Sequence, residues 1–237
     1  MMNVAMSDQV ARNYLHAFLE RHPSRSFKKR EIIVFQGEAP RQAFVVKRGT
    51  VKAYNLSVGG DEKPVAFYQP DNVFPAAWVY GKTASSTYYY EAFTPEVEVY
   101  TIDRQEFIDF IKKRPELLYQ ELQRLLADQL GGSMRLNALQ NSRARDKLIY
   151  TLHYLALSHG QAAGPGKIEL TLDVTHQDLA NLTGLTRETV ATELNKLKRQ
   201  HVIEYGKNQP YRLDVSSLTR LLNDEFIADL QPTLLVP

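Results

Sequence analysis

Arg187 and Glu188 stand next to each other directly after Gly184-Leu185-Thr186, and their chemistry suits the edge of a base pair. An arginine offers a bidentate donor fork to the O6 and N7 of guanine, and a glutamate accepts from the N4 amine of cytosine. That chemistry needs a helix whose first turn enters the major groove. The surrounding residues supply one. Thr175 is placed to cap a first helix carrying Leu179, Ala180 and Leu182, Gly184 to turn the chain, and Thr186 to cap a second helix, because threonine hydroxyls accept the orphan N–H groups of a first turn. In the second helix Val190, Leu194 and Leu197 fall at i, i+4 and i+7, an apolar stripe for the core. The opposite stripe holds Arg187, Glu188, Ala191, Thr192 and Asn195. Val202-Ile203 then opens a hairpin, so 172–205 has the layout of a helix-turn-helix with a wing. Against this stands an ordinary helical hairpin with a solvated charged face. Basic residues flank the motif: Arg143, Arg145 and Lys147 before it, Lys196, Lys198, Arg199 and Lys207 after its reading face.

Between Phe27 and Ile102 short β-rich segments alternate with turn signals. The segments are Ile32 to Phe35, Phe44 to Val46, Val51 to Leu56, Val65 to Tyr68, Tyr88 to Phe93 and Val97 to Ile102, separated by Gln36-Gly37, Arg48-Gly49, Gly59-Gly60-Asp61 and Pro70-Asp71-Asn72. Regular short strands predict a small sandwich or barrel. Upstream, Val10, Tyr14, Leu15, Phe18 and Leu19 are interrupted by Asp8, Arg12, Glu20 and Arg21, the pattern of an amphipathic helix rather than a secretory leader. Phe107, Phe110 and Ile111 predict a short helix ending before Pro115. A long helix follows, from about Pro115 to Asn141. Its positions 118, 122, 125, 129, 132, 136 and 139 keep the 4-3 spacing of a coiled-coil seam and read Leu, Leu, Leu, Gln, Gly, Leu, Leu. Such a narrow seam fits a partner helix, the other outcome being a helix packed on its own domain. Gly131-Gly132 within it serves either a close approach of two backbones or a bend. Gly160 to Gly166 reads as a flexible turn. It lacks the Ser or Thr after Lys167 that a phosphate loop requires.

The run from Thr175 to Ile203, T-x-x-x-L-A-x-x-x-G-x-T-R-E-T-V-x-x-x-L-x-x-L-x-x-x-x-V-I, resembles the CRP/FNR family of bacterial transcription regulators, and the likeness extends over nearly the whole chain. The resemblance implies an α+β protein: a cyclic-nucleotide-binding-like β-roll, a long dimerisation helix and a C-terminal winged helix-turn-helix. The expected bounds are an N-terminal amphipathic helix over 1–25, the sensor over 26–114, the dimer helix over 115–141 and the DNA-binding domain over 142–237, with a hinge near Gln140 to Arg143. Position by position, the family's base-reading residues fall on Arg187, Glu188 and Thr192, and its phosphate contacts on Thr175, His176, Gln177, Thr186 and Thr189. Many members carry arginine where this chain has Thr192, so the operator sequence does not transfer. The dimer interface would use Leu118, Leu122, Leu125, Gln129, Gly132, Leu136 and Leu139. Double-stranded DNA and a second copy of the chain are the implied partners, with RNA polymerase and a small effector as further candidates.

In members that bind cyclic nucleotides a Gly-Glu pair holds the ribose and an Arg-Ser/Thr pair takes the phosphate. Here the stretches read Phe74-Pro75-Ala76-Ala77-Trp78 and Ala84-Ser85-Ser86-Thr87, with neither the Glu nor the Arg. An unpaired phosphate is costly to desolvate, so cyclic nucleotides are not expected to bind. Trp78, Tyr80, Tyr88, Tyr89 and Tyr90, with Ser85, Ser86 and Thr87, would form an aromatic wall for a planar effector or simply a strand's core. The resemblance adds Ser133 of the long helix as a hydroxyl that reaches the effector.

With no cysteine in 237 residues, disulfides, thiolate redox sensing and Cys-ligated iron–sulfur clusters are excluded. The six histidines contain no metal-binding spacing, and neither haem nor any other cofactor is expected. No nucleophile elbow, HExxH or phosphate loop marks an enzyme. A net charge of +2 is too small for a polybasic arm, so nucleic-acid affinity would rest on local placement of charge. No apolar run reaches the roughly 18 residues of a membrane helix, which points to the cytoplasm. The combined expectation is a homodimeric, DNA-binding transcription regulator; the rival is a ligand-binding or protein-interaction module whose winged helix no longer reads DNA.

Overall fold

A computed structural model describes residues 2–206 and 209–222, which divide into two compact units, one ending at Glu121 and the other starting at Leu122. The first unit opens with α1 (Met2–Leu19) and then runs β1 (Ser24–Lys28), β2 (Ile32–Val34), β3 (Ala43–Arg48), β4 (Val51–Leu56), β5 (Glu62–Tyr68), β6 (Val73–Phe74), α2 (Ala76–Val79), β7 (Tyr89–Ala92), β8 (Glu96–Ile102) and α3 (Arg104–Lys112). Its strands form two antiparallel four-stranded sheets, ordered β1-β8-β3-β6 and β2-β7-β4-β5. Side chains alternate across a strand, and β3 shows the consequence. Phe44 and Val46 face the second sheet, in a core shared with Val51, Ala53, Phe74, Tyr90, Val97 and Val99. Ala43 and Val45 face the other way, into a layer made by Ala11 and Leu19 of α1, Trp78 and Val79 of α2, and Phe107 and Ile111 of α3. The first sheet is therefore apolar on both faces, which is why β3 reads Ala-Phe-Val-Val without alternation. Strands β1 and β6 lie outside the segments expected from sequence: Ser24 to Lys28 is mostly polar and β6 is two residues long.

The long helix α4 (Pro115–Gln140) is continuous. Its Gly131 answers to a side chain rather than to a second backbone: a Cβ there would lie 2.7 Å from the Tyr154 ring, whereas one at Gly132 would meet nothing within 4 Å. The second unit continues with α5 (Ala144–His159), β9 (Gly160–Ala162), β10 (Lys167–Leu170), α6 (His176–Thr183), α7 (Arg187–Arg199), β11 (Ile203–Gly206), β12 (Gln209–Asp214) and α8 (Val215–Leu222), with sheet order β11-β12-β10-β9. The turn expected over Gly160 to Gly166 is corrected in part. Gly160 to Ala162 pair with Ile168 to Leu170 as a strand, and Gly160 is glycine because a Cβ would sit 2.2 Å from the Ala156 carbonyl oxygen. Helix α5 is the buried axis of this unit, with Leu148, Ile149, Leu152, Leu155 and Leu157 fully enclosed. Among the described residues, no helix is long and apolar enough to cross a membrane.

Candidate nucleic-acid interface

Helix α6 begins at a capping box. The Thr175 Oγ1 accepts from the Asp178 N–H at 3.1 Å, and the Asp178 carboxylate accepts from the Thr175 N–H at 2.8 Å. Two orphan donors are thereby satisfied at once. The helix ends at Gly184, whose φ of 67° lies in the left-handed region that glycine enters without steric cost. Two residues later Thr186 caps α7, its Oγ1 accepting from the Thr189 N–H at 3.2 Å, while the Thr186 and Thr189 hydroxyls lie 2.9 Å apart. Burial of Val190, Leu194 and Leu197 fixes the rotation of α7. Arg187, Glu188, Thr192 and Asn195 are left exposed, with Ala191 half-buried between them. Around them, Thr175, Gln177 and Thr186 stay at the surface, and His176 and Thr189 are half-buried.

The basic residues separate into two groups. Lys196 pairs with Glu193 at 2.6 Å, Lys167 with Glu204 at 2.8 Å and Arg212 with Glu169 at 2.7 Å. Arg143, Arg187 and Arg199 are exposed and enter no ion pair among the described residues. Arg145 donates to Gln200 Oε1 at 3.1 Å, while Lys207 lies outside the described residues. His176 stands edge-on to Tyr205 with ring centroids 5.7 Å apart. Burial, and then the nearby Arg187 cation, hold its imidazole below the usual histidine range, so it stays neutral near pH 7. Tyr205 is a site residue that the sequence does not announce. Its strand position after Val202-Ile203 is readable, but its partner on α7 is not.

In the first unit the expected aromatic wall comes apart. Trp78 and Tyr80 belong to the layer under α1 and α3, where Arg104 lies 5.1 Å above the Trp78 ring and the Tyr80 hydroxyl donates to Glu121 at 2.6 Å. Tyr90 and Tyr88 belong to the core on the opposite face of the first sheet, Tyr90 stacking on Phe74 at 5.1 Å. Tyr89, between them, points away and stacks on Tyr54 at 5.4 Å. These positions thus line no common surface: the first sheet lies between Trp78 and Tyr90, and the two-residue strand period turns Tyr89 away from Tyr90. Ser86 is buried; its N–H donates to the Glu38 carbonyl at 2.7 Å and its hydroxyl to the Tyr88 carbonyl at 2.7 Å. Thr87 is exposed and Ser85 half-buried. Ser133, in the second unit, is exposed and donates back to the Gln129 carbonyl at 3.1 Å. Among the described residues no cluster of His, Asp or Glu could hold a metal ion.

Both units match families of known proteins. Residues 24–114 match the cyclic nucleotide-binding domain family and residues 146–222 the Crp-like helix-turn-helix domain family. The chain belongs to the CRP/FNR family of DNA-binding transcription regulators. It is 28% identical over 185 residues to the global nitrogen regulator of Synechocystis sp., covering 78% of this chain and 81% of that protein. The cyclic AMP receptor protein of Thermus thermophilus is 26% identical, with 77% and 80% covered. Among solved structures, FixK2 from Bradyrhizobium japonicum superimposes with a TM-score of 0.68 at 20% identity, covering 84% of this chain and 96% of its own. A cyclic nucleotide-binding domain containing protein from Listeria monocytogenes gives 0.71 at 18%, with 89% and 98% covered.

For a CRP/FNR regulator with this reading helix, Arg187→Ala is expected to weaken operator binding by about 1–3 kcal/mol and to relax preference at one symmetric base pair, as loss of a bidentate base contact does. Binding isotherms on operator and random duplexes check it. An equal loss on both would reassign Arg187 to a phosphate.

Proposed function

We propose that the chain is a homodimeric regulator that reads a two-fold operator through Arg187, Glu188 and Thr192, positioned by phosphate contacts from Thr175, His176, Gln177, Thr186 and Thr189, and that it does so without a cyclic nucleotide. The observation carrying this reading is the start of α7: a threonine-capped first turn whose Arg187 and Glu188 are exposed and enter no ion pair among the described residues. A module that had abandoned DNA would have no use for an unpaired, solvated arginine beside a glutamate on a helix seated by its opposite face. Capture of genomic fragments followed by sequencing tests the proposal. A shared inverted repeat, lost with Arg187→Ala, is the expected result; capture of random sequence would favour the interaction-module reading.

Independence from cyclic nucleotides rests on the sensor's chemistry. The stretch from Phe74 to Trp78 has no carboxylate for a ribose, and Ser86, where a phosphate would be met, already spends its N–H on Glu38 and its hydroxyl on Tyr88. A ligand that binds the native state must raise its stability by mass action. Cyclic AMP and cyclic GMP at millimolar concentration are therefore expected to leave both the melting temperature and the DNA affinity unchanged. A saturable thermal shift abolished by Ser86→Ala would overturn this part of the reading. Iron–sulfur chemistry has no thiolate ligands here, and we propose that the protein works without a resident cofactor.

A further inference from the structure

Between the start of α6, the middle of α7 and the wing lies a cleft of about 710 Å³, bordered by Thr175, His176, Asn195, Lys198, Tyr205 and Gln209. Tyr205 of β11 crosses it to α7: its hydroxyl donates to Asn195 Oδ1 at 3.0 Å. The ring is held from three sides. It stacks on Tyr211 at 5.1 Å, meets the His176 edge at 5.7 Å and lies 4.7 Å from the Lys198 ammonium, which also donates to the Tyr205 carbonyl at 2.7 Å. Tyr205 is thus a fixed donor, and Asn195 is the side chain it fixes.

The consequence follows from the inventory of an asparagine, which has one carbonyl oxygen and one NH2 group. Reading adenine requires both at once, the oxygen accepting from N6 and the nitrogen donating to N7. With its oxygen engaged by Tyr205, Asn195 presents its NH2 outward from an exposed position on the reading stripe. The partner must then be an acceptor. Distance along the helix decides which one. Asn195 is eight residues beyond Arg187, ~12 Å at ~1.5 Å per residue, and the major groove is also ~12 Å wide. With Arg187 at the base edges, Asn195 reaches the groove wall, where the acceptors are phosphate oxygens.

We propose that Asn195 is an additional DNA contact, donating from its amide nitrogen to a backbone phosphate, and that Tyr205 is a positioning residue that sets the amide's orientation. The inference rests on α7 as the base-reading helix. It predicts a wing that acts on DNA through the recognition helix. Tyr205→Phe keeps the ring and all three of its neighbours while removing the hydroxyl; Asn195→Ala removes the contact itself.

Binding of the full chain to its captured operator and to random duplex, over a salt series, tests this. Asn195→Ala is expected to lower affinity by about tenfold or more on both duplexes, as loss of one hydrogen bond to a charged group does. Tyr205→Phe should lower it about three- to fivefold, and the double variant no further than Asn195→Ala, because coupled residues are not additive. Since the lost donor is neutral, the salt dependence should keep its slope; a slope reduced by about one would transfer the effect to Lys198 and overturn the proposal. A changed base preference in Asn195→Ala would overturn it in favour of base reading. If Arg187→Ala relaxes specificity while Asn195→Ala and Tyr205→Phe both stay within about twofold of the parent, less than one hydrogen bond is worth, this inference falls and the reading of α7 stands. If Arg187→Ala is without effect, both fall.

Discussion

Leu125→Asp is expected to convert a homodimer into monomers and to lower operator affinity by about 10²–10⁴-fold, the advantage that two tethered half-site contacts hold over one. The leucines of the 4-3 seam, Leu118, Leu122, Leu125, Leu136 and Leu139, are between 39% and 62% exposed in the single chain. Tyr119, Leu126 and Leu130 widen the same apolar face. Meanwhile Leu117, Met134 and Ala138 turn inward, so α4 already spends one face on its own chain and has a second to offer. Monomeric soluble proteins rarely expose a contiguous apolar stripe of this length, and a parallel copy of the helix would cover it by knobs-into-holes packing. An aspartate in the middle would place two carboxylates across the interface, near Glu121 and Asp128 of each helix. Because Leu125 is exposed in the monomer, folding of the single chain should be little affected. Light scattering and operator titration check the two halves of the prediction separately. A variant that stays dimeric would move the interface to another surface, and Leu136→Lys, at the other end of the seam, guards against a local effect.

Gly132 falls on the same stripe. Its missing side chain faces open space within the chain, at a seam position where the spacing would otherwise place a leucine. Neighbouring Gly131 is explained by the Tyr154 ring, so of two adjacent glycines one serves the protomer and the other is left to the seam. The sequence shows the pair but not the division, because only the partner ring on α5 distinguishes them.

Legibility varies with the range of the determining contacts. The caps Thr175 and Thr186, the Gly184 turn and the stripe of Val190, Leu194 and Leu197 are set within four to seven residues, and each is readable in the sequence. The aromatic wall fails because it groups Trp78 with Tyr88, Tyr89 and Tyr90 by proximity in the chain. A sheet passes between Trp78 and Tyr90, and consecutive tyrosines on β7 must point to opposite faces. The buried Lys52, which sits between Glu62 and Glu91, is equally invisible. Three strands bring that cluster together, and no local spacing announces it. Likewise the Tyr205–Asn195 hydrogen bond joins a wing strand to a helix position ten residues earlier.

Acid is expected to destabilise the second unit well before its carboxylates protonate. His153 is 1% exposed on α5, and neither of its ring nitrogens has a hydrogen-bond partner among the described residues; His159, at the end of the same helix, is 7% exposed. Burial pushes both imidazoles down to about 4 from the ordinary 6.5. The folded chain therefore keeps them neutral while the unfolded chain protonates them. Above pH 6.5 both states are neutral and the full stability is present. As pH falls from 6.5 toward 4 the unfolded state binds protons that the folded state refuses, and stability is lost. At about pH 5 the loss is about 2 kcal/mol for each histidine, so about 4 kcal/mol for the pair, a large share of the ~5–15 kcal/mol that holds an ordinary domain together. Urea unfolding near pH 7.5 and near pH 5, on either side of the unfolded imidazole's titration, should show this drop. His153→Leu should remove about half of it while leaving stability above the titration range nearly unchanged or higher. The apolar replacement has no proton to refuse, and it joins the α5 face that position 153 shares with the buried Ile149 and Leu157, one helical turn to either side. A variant whose stability falls with acid as steeply as the parent's would show that His153 is hydrated in the folded chain, and the acid sensitivity would then belong to His159 and to the carboxylates.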